Sequence, residues 1–159
     1  MFRFLILTLF SLVLAMPSFA ETLLDKDNTS AINKEFMQAM KDKDLSIIRK
    51  YMYDGTEITV DLDPDENAGE KELTLEKYID FTKRSIEKMG KSGVDVRLDS
   101  MSIDEDRNQA TLELKVKVIT KNMGSNFKFV STKKTVLGIV DEEIKIISSK
   151  DHLISIEPL

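Results

Sequence analysis

The stretch VDVRLDSMSIDEDRNQATLELKVKVIT, residues 94–120, decides the fold. Val94, Val96 and Leu98 alternate with Asp95, Arg97 and Asp99. After the turn-like DEDRN (104–108), Ala110, Leu112, Leu114, Val116 and Val118 share one face against Glu113, Lys115 and Lys117. A period of two marks strands buried on one side only. Upstream of GKSG (90–93) the rhythm is different: Leu75, Tyr78, Ile79, Thr82, Ile86 and Met89 recur at helical spacing. The switch near Gly90, from helical to alternating, points to an α+β domain.

Working outward, Ile32, Phe36, Met37 and Met40 predict a first helix, capped by Asn28, Thr29 or Ser30 and interrupted by KDKD (41–44). Asp44 is placed to cap a shorter helix carrying Leu45, Ile48, Tyr51 and Met52, which YDG (53–55) ends, with Gly55 free to turn left-handed. EITVDL (57–62) alternates as a half-buried strand, an acidic loop runs to about Glu72, and Thr74 starts the third helix. Downstream of the quoted stretch, NMGSN (122–126) turns into a long strand over 127–140. DEE (141–143) turns again into a final strand or pair of strands. Helices first and antiparallel strands after them predict a curved sheet with helices on one face.

The chain opens MFRFLILTLFSLVLAMPSFA: a short positive start at Arg3, an apolar run from Phe4 to Met16, Pro17, then small residues at Ser18 and Ala20. That is a secretory signal pattern with cleavage after Ala20. An uncleaved anchor is the competing reading, but the run is shorter than the roughly 18–20 residues a spanning helix needs. The expected organisation is a signal over 1–20 and a single domain over 21–159, periplasmic or secreted, with no stable membrane span after cleavage. No cysteine stands near the cut, so no lipid is attached there. None stands anywhere, so no internal disulfide forms and stability must come from packing. The formal net charge of −5, without a basic cluster, argues against nucleic acid as a partner.

Residues 31–61, AINKEFMQAMKDKDLSIIRKYMYDGTEITVD, resemble the opening of NTF2-like, or SnoaL-like, domains: helix, an acidic break before leucine (Asp44-Leu45), short helix with Ile48, aromatic, strand. The helix over 74–89 and the strand-rich tail with DEEIKII (141–147) are similar to the rest of that order. The resemblance implies a cone, four to six strands wrapped around two or three helices, with a pocket open at one end and frequent pairing into homodimers through the sheet. It implies pocket residues Phe36, Met40, Tyr78 and Phe81 from helices and Leu114 and Val116 from the sheet. The family includes isomerases, dehydratases, adaptors and binding modules, so the fold by itself licenses no activity.

Candidate chemistry is sparse. DLDPDENAGEKE (61–72) places Asp61, Asp63, Asp65 and Glu72 at oxygen positions of a calcium loop. Position six is Glu66 rather than glycine, Pro64 stiffens the loop, and a strand precedes it, so a solvated loop is expected instead. His152 is the single histidine; Asp151 beside it points to the opposite face of a strand and cannot orient it. Enzymes of the resembling family would use such a histidine with an acid from elsewhere, or a tyrosine with a carboxyl group. Tyr51, Tyr53 and Tyr78, with Asp99 or Asp80, are the nearest approach, although Asp99 sits on the polar side of its strand. A nucleophile elbow, a phosphate loop and a zinc ligand set are all absent from the sequence. Lys115, Lys117, Lys121, Lys128, Lys133 and Lys134 are expected on the sheet's polar face. No cofactor is expected. The function that fits is non-enzymatic: a small apolar ligand in the cone or a protein partner on the sheet. The rivals are an isomerase or dehydratase-like enzyme, and an accessory part of an envelope complex. Protein recovered from its native envelope should show an intact mass starting at Glu21; a mass that includes Met1–Ala20 would contradict the expected processing.

Overall fold

The computed structural model describes residues 24–62, 69–89, 93–122 and 125–159. The expected signal segment, and Asp63 and Asp65 of the acidic loop, lie outside the described residues.

Helix α1 spans Lys26–Asp42 and begins earlier than the sequence suggested. Asp25 is the cap: its side chain accepts from the Asn28 N–H at 2.8 Å, while Asn28 Oδ1 accepts from the Asp25 N–H at 3.0 Å. This reciprocal pair satisfies two donors that the first turn would otherwise leave open. Just upstream, the Leu24 N–H donates to Asn108 Oδ1 at 2.8 Å, which pins the start of α1 to the turn between two later strands. Helix α2 covers Ser46–Tyr51 with Leu45 at its N-cap; Asp44, expected to be the cap, stands one residue upstream, where its Oδ1 accepts the Ser46 N–H at 2.9 Å.

The chain then enters β1 (Met52–Asp61) directly. YDG is therefore not a helix stop. It forms an irregular part of β1, and Gly55 is needed because the Tyr53 ring lies against it: a Cβ there would stand 2.4 Å from that ring. A short β2 (Lys71–Leu73), which the sequence had absorbed into the acidic loop, pairs antiparallel with β1. Helix α3 (Leu75–Met89) follows, and then the meander β3 (Gly93–Asp104), β4 (Gln109–Asn122), β5 (Ser125–Val140) and β6 (Glu143–Pro158).

The six strands make one sheet in the order β2-β1-β6-β5-β4-β3. Four of the five strand pairings among the described residues are antiparallel, as expected. The exception is β1 against β6, which is parallel and places Val60 beside Asp151 and Asp61 beside His152. Parallel pairing needs a long crossover, here everything from β2 through β5. That non-local step is invisible to periodicity.

The core lies between the helices and one face of this sheet. Ile48 of α2, Leu137 of β5 and Ile146 of β6 are at most 2% exposed, and Ile32, Tyr51, Ile58, Leu75, Tyr78 and Leu112 join them. Leu137 is in register with both Ala110 and Ile146, so it sits where three strands meet the helical layer. Among the described residues no helix is long and apolar enough to cross a membrane. Truncating Leu137 to Ala should leave a cavity that its paired strands cannot close, at a cost of about 2–5 kcal/mol in chemical denaturation.

Candidate functional site

Register assigns each side chain of the central strands to a face. Val60, Asp151, Lys133 and Leu114 lie in one cross-strand row. Val60 belongs to the core, so this row faces the helices. Lys133 is therefore inside the cone, contrary to its expected place on the polar face. Consecutive lysines cannot share a strand face, and it is Lys134 that stays exposed.

A buried lysine needs a counter-charge. Asp151 supplies it: Lys133 Nζ donates to Asp151 Oδ1 at 3.0 Å and to Oδ2 at 3.2 Å. Tyr78, buried on α3, completes the cluster. Its hydroxyl accepts from Lys133 Nζ at 2.7 Å and donates to Asp151 Oδ2 at 3.2 Å. The ammonium also lies 5.1 Å from the centre of the Tyr78 ring. Side-chain exposure is 13% for Lys133 and 26% for Asp151, so solvent screens the pair little.

Burial alone would push the Lys133 ammonium toward neutrality. The Asp151 carboxylate and the Tyr78 hydroxyl outweigh it and hold its pKa above the ordinary lysine value. Burial, reinforced by Asp151, raises the Tyr78 hydroxyl above its ordinary value. At neutral pH the cluster is thus an ammonium and a protonated phenol closed on a carboxylate. It can donate hydrogen bonds; neither Lys133 nor Tyr78 can take up a proton.

A cavity of about 20 Å³ is lined by Ile32, Asn33 and Phe36 of α1 together with Leu112, Leu114, Lys133, Thr135, Leu137 and Ile146 of the sheet. Of the pocket residues implied by the family resemblance, Phe36 and Leu114 meet there, and Tyr78 adjoins it through Lys133. Met40 is half-buried elsewhere on α1, Phe81 packs at the edge of the core, and Val116 lies further along β4 opposite Ser131.

His152 does find an acid, but on the other side of the sheet. Its Nδ1 lies 3.0 Å from Asp61 Oδ2, the two residues being register partners across the parallel β1–β6 pair. Because Asp151 faces α3, His152 and Asp61 face away from the cone. Asp61 is 8% exposed, which corrects its expected place in water. Glu72 is exposed on β2, in register with Thr59, and among the described residues no group of three or more acids and histidines is placed to hold a metal ion. Asp99 is exposed and bonded to Arg97 at 2.9 and 2.7 Å, away from the tyrosines, and Asp80 is exposed on α3. The acid that meets a cone tyrosine is Asp151, whose only mark in the sequence is its place beside His152.

A larger space lies outside the cone. A cleft of about 550 Å³ opens between α1, the end of α2 and the start of β6. Ala31, Ile32, Tyr51 and Ile144 give it apolar walls; Lys50, Lys145 and Glu143 line its rim. Glu35 accepts from the Tyr51 hydroxyl at 2.6 Å and from Lys50. The Lys50 bond, assisted by Tyr51, lowers the pKa of Glu35. Lys145 Nζ donates to the Lys50 carbonyl at 3.0 Å, closing the end of α2. Ile32 borders both spaces and separates them.

The Tyr78–Lys133–Asp151 cluster sets a pH dependence. A lysine whose folded pKa lies above its unfolded value of 10.5 adds stability that is complete below that value and is lost as pH rises through the folded pKa. Tyr78, also raised, acts in the same direction above its ordinary value of 10.0. The melting temperature should therefore fall as pH climbs past the ordinary tyrosine and lysine range, and Asp151→Asn should remove that component. The same substitution leaves Lys133 charged without a counter-charge and should cost about 3–5 kcal/mol at neutral pH, read by urea unfolding.

No protein-family model matches the sequence, and no curated protein matches it. Solved structures do match in fold. The Kfla4162 protein from Kribbella flavida superposes with a TM-score of 0.62 at 15% identity, covering 84% of this chain and 95% of its own. An NTF2-like protein from Cytophaga hutchinsonii gives 0.59 at 14%, covering 82% of this chain and 100% of its own. A type 2 hexachlorocyclohexane dehydrochlorinase (LinA) gives 0.57 at 11%, covering 84% and 93%. Likeness at such identities carries the architecture and no activity. The chain therefore has the NTF2-like fold, with a curved, unclosed six-stranded sheet around its helices.

Proposed function

We propose that this is a non-enzymatic binding domain whose ligand, a small and mostly apolar molecule, occupies the outer cleft rather than the cone. The observation that carries the reading is the contrast between the two spaces. Sites for small molecules usually enclose about 300–1,000 Å³. The cleft, at about 550 Å³, falls in that range; the cavity between α1 and the sheet, at about 20 Å³, has room for a single solvent molecule. The cleft also has the mixture expected of such sites, apolar walls with a few polar groups at the rim.

The acid–base alternative draws less support. Lys133 and Tyr78 hold their protons at neutral pH, and both Asp151 oxygens are occupied by them. His152, the other candidate base, is on the far face. Among the described residues, the polar groups that converge inside the cone are Lys133, Tyr78 and Asp151, and Lys133 and Tyr78 hold their protons. The dehydrochlorinase among the structural neighbours shares the architecture, and its chemistry is not carried over. Export, inferred from residues 1–20, would place the cleft in the periplasm or outside the cell.

Anilinonaphthalene sulfonate, an aromatic body with one anionic group, tests the cleft directly. Ala31 is exposed on the cleft wall, so Ala31→Glu changes the cleft with little effect on the core. The dye should bind the native protein with a single site, and A31E should weaken it at least about tenfold, the effect of some 1.4 kcal/mol, at an unchanged melting temperature. Absence of binding, or binding indifferent to A31E, would sink the proposal.

A further inference from the structure

Three side chains deep in the cone carry polar atoms without a hydrogen-bond partner among the described residues: Asn33 Oδ1, Thr135 Oγ1 and Ser149 Oγ. Their residues are 6%, 5% and 0% exposed. Native proteins rarely leave such groups unsatisfied. Asn33 and Thr135 come from different layers, α1 and β5, yet both line the 20 Å³ cavity, with the Lys133 side chain on the same wall. Ser149 is the register partner of Thr135 on β6.

We infer that this cavity is a binding site for one ordered water molecule, held between Asn33 Oδ1 on the helix and Thr135 Oγ1 on the sheet. The size fits. A water needs about 10–15 Å³ of such space and two to four polar partners. The chemistry fits as well. Asn33 Oδ1 is an acceptor and takes one water hydrogen, and the Thr135 hydroxyl can donate to the water oxygen. An apolar cavity of this size would stay dry, and the other walls, Phe36, Leu112 and Leu114, are apolar. What selects water here is a pair of buried oxygens on two residues that line the same cavity.

The water extends the Tyr78–Lys133–Asp151 cluster. That cluster joins α3 to β5 and β6; the water joins α1 to β5 two residues along the same strand face. Together they make the floor of the cone polar and hydrogen-bonded from one helix to the other. The inference stands apart from the binding role of the cleft, since it concerns atoms the cleft ligand does not touch.

Two measurements test it. A crystal structure of the full domain at about 1.5 Å or better should show a single density peak within hydrogen-bond distance of Asn33 Oδ1 and Thr135 Oγ1, at the usual 2.7–3.2 Å. A cavity without density overturns the site. Thr135→Val keeps shape and strand preference while removing the hydroxyl. With a water present, the variant strips it of a partner, and the melting temperature should fall by about 4 °C. With no water, Val removes an unsatisfied hydroxyl, and the melting temperature should rise; a rise overturns the inference.

Discussion

A lysine ammonium inside the curve of the sheet is tolerable only because Asp151 stands beside it, and much of the cone follows from that pairing. Lys133 and Asp151 belong to adjacent antiparallel strands, so backbone register brings them together before any side chain is chosen. Tyr78 then closes the ion pair from α3 with a hydroxyl that accepts from one partner and donates to the other. The helix is thus anchored to the sheet by polar contacts as well as by the packing of Leu75 and Tyr78. Replacing such a pair by apolar residues often costs nothing in stability, whereas removing one partner is expensive. It fixes where α3 sits on the sheet.

The closed interior and the open exterior have one cause. Ile32, Phe36 and Asn33 of α1 lie over the same wall that Leu112, Leu114 and Thr135 form from the sheet, and they leave room for little else. The side of α1 that carries Ala31 and Asn28 turns outward and, with Tyr51 and Ile144, walls the cleft. One helix, held at its start by the Asp25–Asn28 pair and by Leu24 on Asn108, therefore sets the dimensions of both spaces.

Much of the architecture was legible from local rhythm. The alternation of β3 and β4, the stripe of α3 and the turn at 141–143 each appear in the structure within a few residues of their expected place. Asp141 and Glu142 form that turn with φ of 51° and 66°, the geometry a two-residue hairpin requires. What failed to show was the parallel placement of β1 beside β6 and the facing of single side chains. Asp61 looked solvated because EITVDL alternates cleanly, but parallel pairing with β6 covers it and gives His152 its acid. Lys133 looked like one lysine among six because the pair Lys133-Lys134 hides which of them turns inward. Tyr78 was legible as a pocket residue, since its helical stripe pointed to the sheet; its partners were not, because they are 55 and 73 residues away in sequence.

The central claim is that the cone is held shut by an interdependent polar cluster rather than kept open for a ligand. A double-mutant cycle on Lys133→Met and Asp151→Asn, followed by urea unfolding at pH 7, measures that interdependence most directly. The account predicts that the double variant is more stable than the sum of the single losses implies, with a coupling of about 2 kcal/mol or more. Additive losses, each near zero, would mean that the two charges are independently solvated and that the interior is open.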